Sequence, residues 1–150
     1  MDFWKAFPPD IVFKQIMVSG GAFREKHEFA AEGTKFRYFF IINAYPNDDA
    51  DLVLVTATTQ IRKRQRQRAR TPRVLVYVDP TLYSPLEKPS VIDCASADVR
   101  PVENVRAAIE KHQVQPLLPL PPEILERVRA AVRAARTLEP RVKRLVLPQN

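Results

Sequence analysis

Glu32, Arg37 and Thr58 are the residues whose types and surroundings point to chemistry. Arg37 stands among Phe36, Tyr38, Phe39 and Phe40, and a cation inside such an apolar run needs a reason. Either it faces out of a sheet while its neighbours face in, or it serves a partly buried anion site. Glu32 lies in the polar turn ahead of that run. Thr58 ends the stretch Val55-Thr56-Ala57-Thr58, where threonine is also an ordinary β-former. Other chemistries find less support. His27 and His112 lie far apart, and neither has metal-ligand spacing with Cys94. No metal and no cofactor is assigned. Cys94, in a short apolar strand, reads as a buried small hydrophobe rather than a nucleophile. Asp48, Asp49 and Asp51 read as turn acids without a calcium-loop pattern.

A second feature is electrostatic. Residues 62–73 hold Arg62, Lys63, Arg64, Arg66, Arg68, Arg70 and Arg73 and no acid. The chain has 24 Lys and Arg, 17 Asp and Glu, and a net charge of +7, so this segment carries the whole excess. A cluster of this kind makes a strong local field. In extended backbone, Arg62, Arg64, Arg66, Arg68 and Arg70 would share one side, with Lys63, Gln65 and Gln67 on the other. Phosphates along a nucleic-acid backbone suit such a row, because arginine grips each one bidentately. The plainer alternative is a solvated loop, but arginine rather than lysine is the phosphate reader. Such a run can also be a nuclear address. Arg129, Arg133 and Arg136 share a helix face and read as an ordinary exposed surface.

These residues need elements to position them. Ile11–Val18 is β-branched and apolar, a predicted strand ended by Ser19-Gly20-Gly21. Phe36–Asn43, Asp51–Thr58, Arg73–Asp79 and Ser90–Cys94 are further predicted strands, with a turn across Ala44–Ala50. Their number and spacing predict a small antiparallel barrel or a strongly bent sheet. No glycine-rich strand-to-helix turn supports a nucleotide-binding α/β fold. Val102, Val105 and Ile109 then take up helical spacing. After a proline-rich connector, Pro116–Pro122, a helix is expected from Glu123 to about Leu138, ended by Pro140. Its apolar face is Ile124, Leu125, Val128, Val132 and Ala135, and its charges follow the helix dipole.

With 150 residues, 45% of them hydrophobic, the chain is expected to form one domain with its own core. No apolar run is long enough for a membrane span, and Met1–Asp10 lacks the basic start and apolar stretch of a secretory signal. A single cysteine permits no internal disulfide, which points to a reducing, cytoplasmic setting.

The pattern Glu32, Arg37 five residues later, and Thr58-Thr59 ending the next strand resembles the MazF/PemK-like (CcdB/Kid-type) toxins of prokaryotic toxin–antitoxin systems. Those carry a glutamate, an arginine five residues on that opens a strand, and a Thr-Thr or Thr-Ser pair closing the following one. Ser90-Val91-Ile92-Asp93-Cys94 resembles their later barrel strand, which carries an acid in some members. The resemblance spans roughly residues 8 to 95. The family's Arg-Pro is Arg37-Tyr38 here. Its opening Gly-Asp is only echoed by Pro9-Asp10-Ile11-Val12, and the helical tail is longer.

The resemblance implies a fold that is mainly β with α: a small SH3-like antiparallel β-barrel over residues 8–95, followed by C-terminal helices over 99–147. It also implies a homodimer that cleaves single-stranded RNA without a metal, as an endoribonuclease toxin neutralised by an acidic antitoxin segment. In that chemistry the RNA 2′-hydroxyl attacks the neighbouring phosphate. Arg37 would stabilise charge on the phosphoryl oxygens and protonate or orient the leaving oxygen. Thr58 would hydrogen-bond a phosphoryl oxygen, and Glu32 would act as base or orient Arg37. The basic segment, Arg62 to Arg73, would hold the strand. Stacking on Tyr45 or nearby aromatics would read bases. Two other readings fit the same chain: a non-catalytic nucleic-acid-binding barrel, and a protein-interaction module docking through the connector and last helix. Salt-sensitive RNA binding separates the latter from the rest.

Overall fold

The computed structural model describes residues 3–29 and 33–148. A 3-10 turn, Phe3–Ala6, precedes helix α1 (Pro9–Ile16), which stands where a strand is predicted from β-branched content. Periodicity decides the matter: Val12 and Ile16, four apart, are buried while Ile11 is exposed. Pro9 at the first helical position suits that start. The turn after it needs its glycines. Gly20 has φ +84°, and a Cβ on Gly21 would lie 1.8 Å from the Ile16 carbonyl oxygen.

Strands β1 (Ala22–Phe29) and β2 (Gly33–Ile41) form an antiparallel hairpin, followed by β3 (Asp51–Thr58). The loop into β3 is set by buried Asn43. Its side-chain amide donates to Asp49 and to the Asp51 carbonyl, and its oxygen accepts from the Val53 amide at 2.7 Å. Next come α2 (Ile61–Gln67), β4 (Leu75–Val78), β5 (Ser90–Asp93) and β6 (Asp98–Pro101). The remainder is α3 (Val102–Glu110), β7 (Val114–Leu117), α4 (Pro122–Ala134) and α5 (Pro140–Val146).

The seven strands form one antiparallel sheet in the order β4-β5-β3-β2-β1-β7, with β6 also on β3. β3 is the pivot. One edge pairs with β2, and the other is divided between β6 near Asp51–Leu54 and β5 near Ala57–Thr58. The sheet is not closed into the expected barrel: its path keeps two ends, β4 and β7.

Alternation along the strands splits the core. Phe40, Ile42, Val53 and Val55 face a layer built from α4 and α5, including Ile124, Val128, Val132 and Val146. Phe23, Phe39, Ile41, Leu52 and Leu54 face Val12, Ile16, Val105 and Ile109 of α1 and α3. Further elements differ from the sequence reading. α4 stops at Ala134, and Pro140 opens α5 as its first residue rather than merely ending a helix. β6 and β7 lie in the stretch expected to be helical, yet pair with β3 and β1. Among the described residues, no helix is long and apolar enough to cross a membrane.

Candidate functional site

The sheet face under α1 and α3 is apolar only part of the way. Beyond Phe23, Phe39 and Leu54 the same face continues, by strand alternation, through Glu25 and His27 on β1, Arg37 on β2, and Thr56 and Thr58 on β3. Asp98 and Arg100 join it from β6. Polar groups therefore gather where the two helices leave the sheet uncovered.

Arg37 and Thr58 meet here. The pair Tyr38↔Ala57 puts them one step further along neighbouring strands, on one face. Both line an open groove of about 730 Å³, together with Arg24, Lys35, Arg64 and Lys88. Among the described residues, Glu87 is the single acid in its wall. A second hollow of about 600 Å³ is lined by Glu25, His27, Thr56, Asp98 and Arg100. Arg37, Thr56 and Arg64 line both, so the two hollows adjoin. Arg37 is exposed, which answers why a cation stands in an apolar strand: it faces the groove. Thr58 Oγ1 accepts from the Gln60 amide at 3.2 Å, so the hydroxyl also shapes the end of β3. Glu32 lies outside the described residues.

Glu25, His27, Arg100 and Thr56 were not singled out from the sequence. Glu25 is 5% exposed. Arg100 clamps its carboxylate through both terminal nitrogens, at 3.1 and 2.9 Å. Arg100 is itself oriented by Nε donating to Asn104 at 2.9 Å. His27 Nε2 lies at ion-pair distance, 2.9 Å, from Glu25 Oε1. The His27 ring leans on Phe39, centroids 6.0 Å apart, and the Arg100 guanidinium lies 5.7 Å from that same ring. The available signal was the period of two in Phe23, Glu25 and His27, masked because Arg24, Lys26 and Glu28 are charged as well.

The basic segment is not extended. Its first half is α2, so the arginines do not form one row. Arg64 and Arg68, one helical turn apart, point to the sheet and grip Asp93, which is 4% exposed. Arg68 Nε lies 3.1 and 3.0 Å from the two carboxylate oxygens, and Arg64 Nη1 3.3 Å from one. Ser96 donates to Asp93 at 3.1 Å and accepts from Arg68 at 2.9 Å. Arg62, Lys63, Arg66 and Arg70 stay exposed. Arg73 lines a separate hollow beside β4 with Arg127 and Arg133. Arg129 is tied to Glu126 and Ser19, at 2.7 and 2.8 Å, which removes it from any patch with Arg133 and Arg136.

Burial pushes the Cys94 thiol up to about 12, with the Asp93 carboxylate adding to the rise. The thiolate that nucleophilic or ligand chemistry needs is therefore disfavoured. Among the described residues, no three His, Cys, Asp or Glu side chains are placed to hold a metal ion.

No protein-family profile and no curated protein sequence matches the chain. Its fold does match solved structures. One is a MazE–MazF structure from Deinococcus radiodurans, at TM-score 0.51 and 13% identity, over 78% of this chain and 92% of that one. Another is an endoribonuclease in complex with its cognate antitoxin from Mycobacterial species, at TM-score 0.49 and 19% identity, over 81% and 96%. The chain thus has a MazF-like fold.

Proposed function

We propose that this protein is a metal-independent endoribonuclease of the toxin–antitoxin type that cuts single-stranded RNA by attack of the 2′-hydroxyl on the adjacent phosphate. The observation that carries the reading is the meeting of Arg37 and Thr58 in one groove ringed by Arg24, Lys35, Arg64 and Lys88. The MazF-like fold supports it, as does the Glu32, Arg37, Thr58 pattern.

In this reading the scissile phosphate lies over Arg37. As the 2′-oxygen bonds to phosphorus, charge grows on the non-bridging oxygens, and a guanidinium fixed on a strand stabilises it without reorganising. Thr58 offers a hydroxyl donor to one of those oxygens. Glu32 is the base proposed for the 2′-hydroxyl proton. Arg62, Lys63, Arg66 and Arg70 attract the flanking phosphates. Arg64 and Arg68 contribute less, because Asp93 already neutralises part of their charge. An acidic antitoxin segment would compete for the same cations, and the active unit would be a homodimer.

The test is incubation of purified protein with mixed-sequence single-stranded RNA in EDTA, beside its Arg37→Ala variant. The wild type should leave 2′,3′-cyclic phosphate and 5′-hydroxyl ends, and the variant, equally folded by circular dichroism, should leave RNA intact. Cleavage surviving in Arg37→Ala sinks the assignment. Salt-sensitive binding with no cleavage by either protein would make this a non-catalytic RNA-binding fold.

A further inference from the structure

We infer that His27 is a catalytic residue of the ribonuclease groove, the general acid that protonates the departing 5′-oxygen, and that buried Glu25 and Arg100 form the support that aims it. The inference rests on the ribonuclease reading and adds to it a proton donor.

Position comes first. Glu25 stands directly opposite Arg37 in the β1–β2 register, and His27 opposite Lys35. His27 and Arg37 are thus diagonal neighbours on one face, and such positions lie roughly 7–8 Å apart. A phosphodiester held by Arg37 through its non-bridging oxygens fits that span, with its leaving oxygen turned toward β1. Both residues line one hollow, so no element separates them.

Support comes second. A buried carboxylate is costly unless it is paired, and Glu25 is paired twice over by Arg100. The same Oε1 that accepts from Arg100 Nη1 lies 2.9 Å from His27 Nε2. A buried carboxylate packed against one ring nitrogen fixes which side of the imidazole faces inward. In this proposal Nδ1 is the donor atom, since Nε2 is buried against Glu25. Phe39 limits rotation of the ring from the side. A histidine serving only as strand surface would not need a buried acid held in place by a second buried-side cation. Glu25 and Arg100 are positioning residues, since neither meets the reacting atoms.

The step balances without a co-reactant. The 2′-oxygen forms a bond to phosphorus and gives its proton to the base proposed above, Glu32. The bond from phosphorus to the 5′-oxygen breaks, and that oxygen takes the proton from His27 Nδ1. The products are a 2′,3′-cyclic phosphate and a 5′-hydroxyl.

A sulfur substitution tests this directly. An RNA with a 5′-bridging sulfur at one scissile linkage expels a thiolate, which leaves without being protonated. On ordinary RNA, His27→Ala should lower kcat by about 10²- to 10⁴-fold, with KM changed little. On the sulfur-bridged RNA the same variant should cleave within about tenfold of wild type. Arg37→Ala should fail on both, because it lacks charge stabilisation rather than a proton donor. If His27→Ala cuts ordinary RNA as fast as wild type, or is equally impaired on both substrates, the acid role is overturned while the ribonuclease reading stands. If wild type cuts neither RNA, both fall together.

Discussion

At the residue scale, Glu25 combines support of the site with stability of the fold. Its carboxylate is almost fully buried, and the Arg100 side chain is 17% exposed. Removing one partner of such a pair strands the other charge, at a cost on the order of 3 kcal/mol. Glu25→Ala should therefore lower Tm by roughly 5–10 °C in thermal unfolding, the range expected for a chain of this size. A Tm within a degree or two of wild type would show that Arg100 is solvated and the clamp is weak. The paired positions were not legible in the sequence, since Glu25 and Arg100 stand 75 residues apart and meet only when β6 docks on β3. Arg37 and Thr58 were legible, because a cation in an apolar run and a hydroxyl at a strand end are local signals. Thr56 was hidden by its type: within a strand, threonine reads as a β-former.

At the element scale, α2 depends on one carboxylate. It exposes most of its surface and buries none of its residues fully. A helix of 7 residues is marginal alone, so its order comes from docking. Asp93 supplies that docking through Arg64 and Arg68. Asp93→Asn keeps the shape and removes the charge, so the amides of α2 should exchange hydrogen at least tenfold faster while those of β3 hold their rates. Unchanged α2 exchange would place the anchor elsewhere, for instance at half-buried Ile61. The same helix shows why the sequence misled. Arginine and glutamine are good helix formers, and the alternation of Arg and Gln imitates a strand only if the backbone is assumed extended. α1 failed in the same way, where β-branched content outweighed a four-residue period. β3 was placed well, over Asp51–Thr58, because Leu52 to Val55 form an unbroken buried run and turn residues precede it.

At the scale of the whole molecule, the layers explain where a charged polymer can lie. One face of the sheet is sealed by α4 and α5, and the other is covered by α1 and α3 only up to Phe39 and Leu54. The uncovered remainder is the groove, and α2 stands at its side with Arg64 in the wall. The charge excess of +7 lies wholly in residues 62–73, so the field is directed toward that end. Within the segment the structure separates two classes of cation: Arg62, Lys63 and Arg66 are exposed, whereas Arg64 and Arg68 are bound to Asp93. Single-stranded RNA releases about 0.7 of a counterion for each phosphate neutralised. Replacing Arg62, Lys63 and Arg66 together with glutamine should then reduce the slope of log K against log salt by roughly 2. Replacing Arg64 and Arg68 should change that slope by well under 1, because little counterion was theirs to displace. Filter binding of a short single-stranded RNA across a salt series, with Arg37→Ala in the background to prevent cleavage, measures both. Equal slopes for the two sets of variants would mean that RNA draws Arg64 and Arg68 away from Asp93. α2 would then act as a clasp that trades a carboxylate for phosphate when the strand arrives.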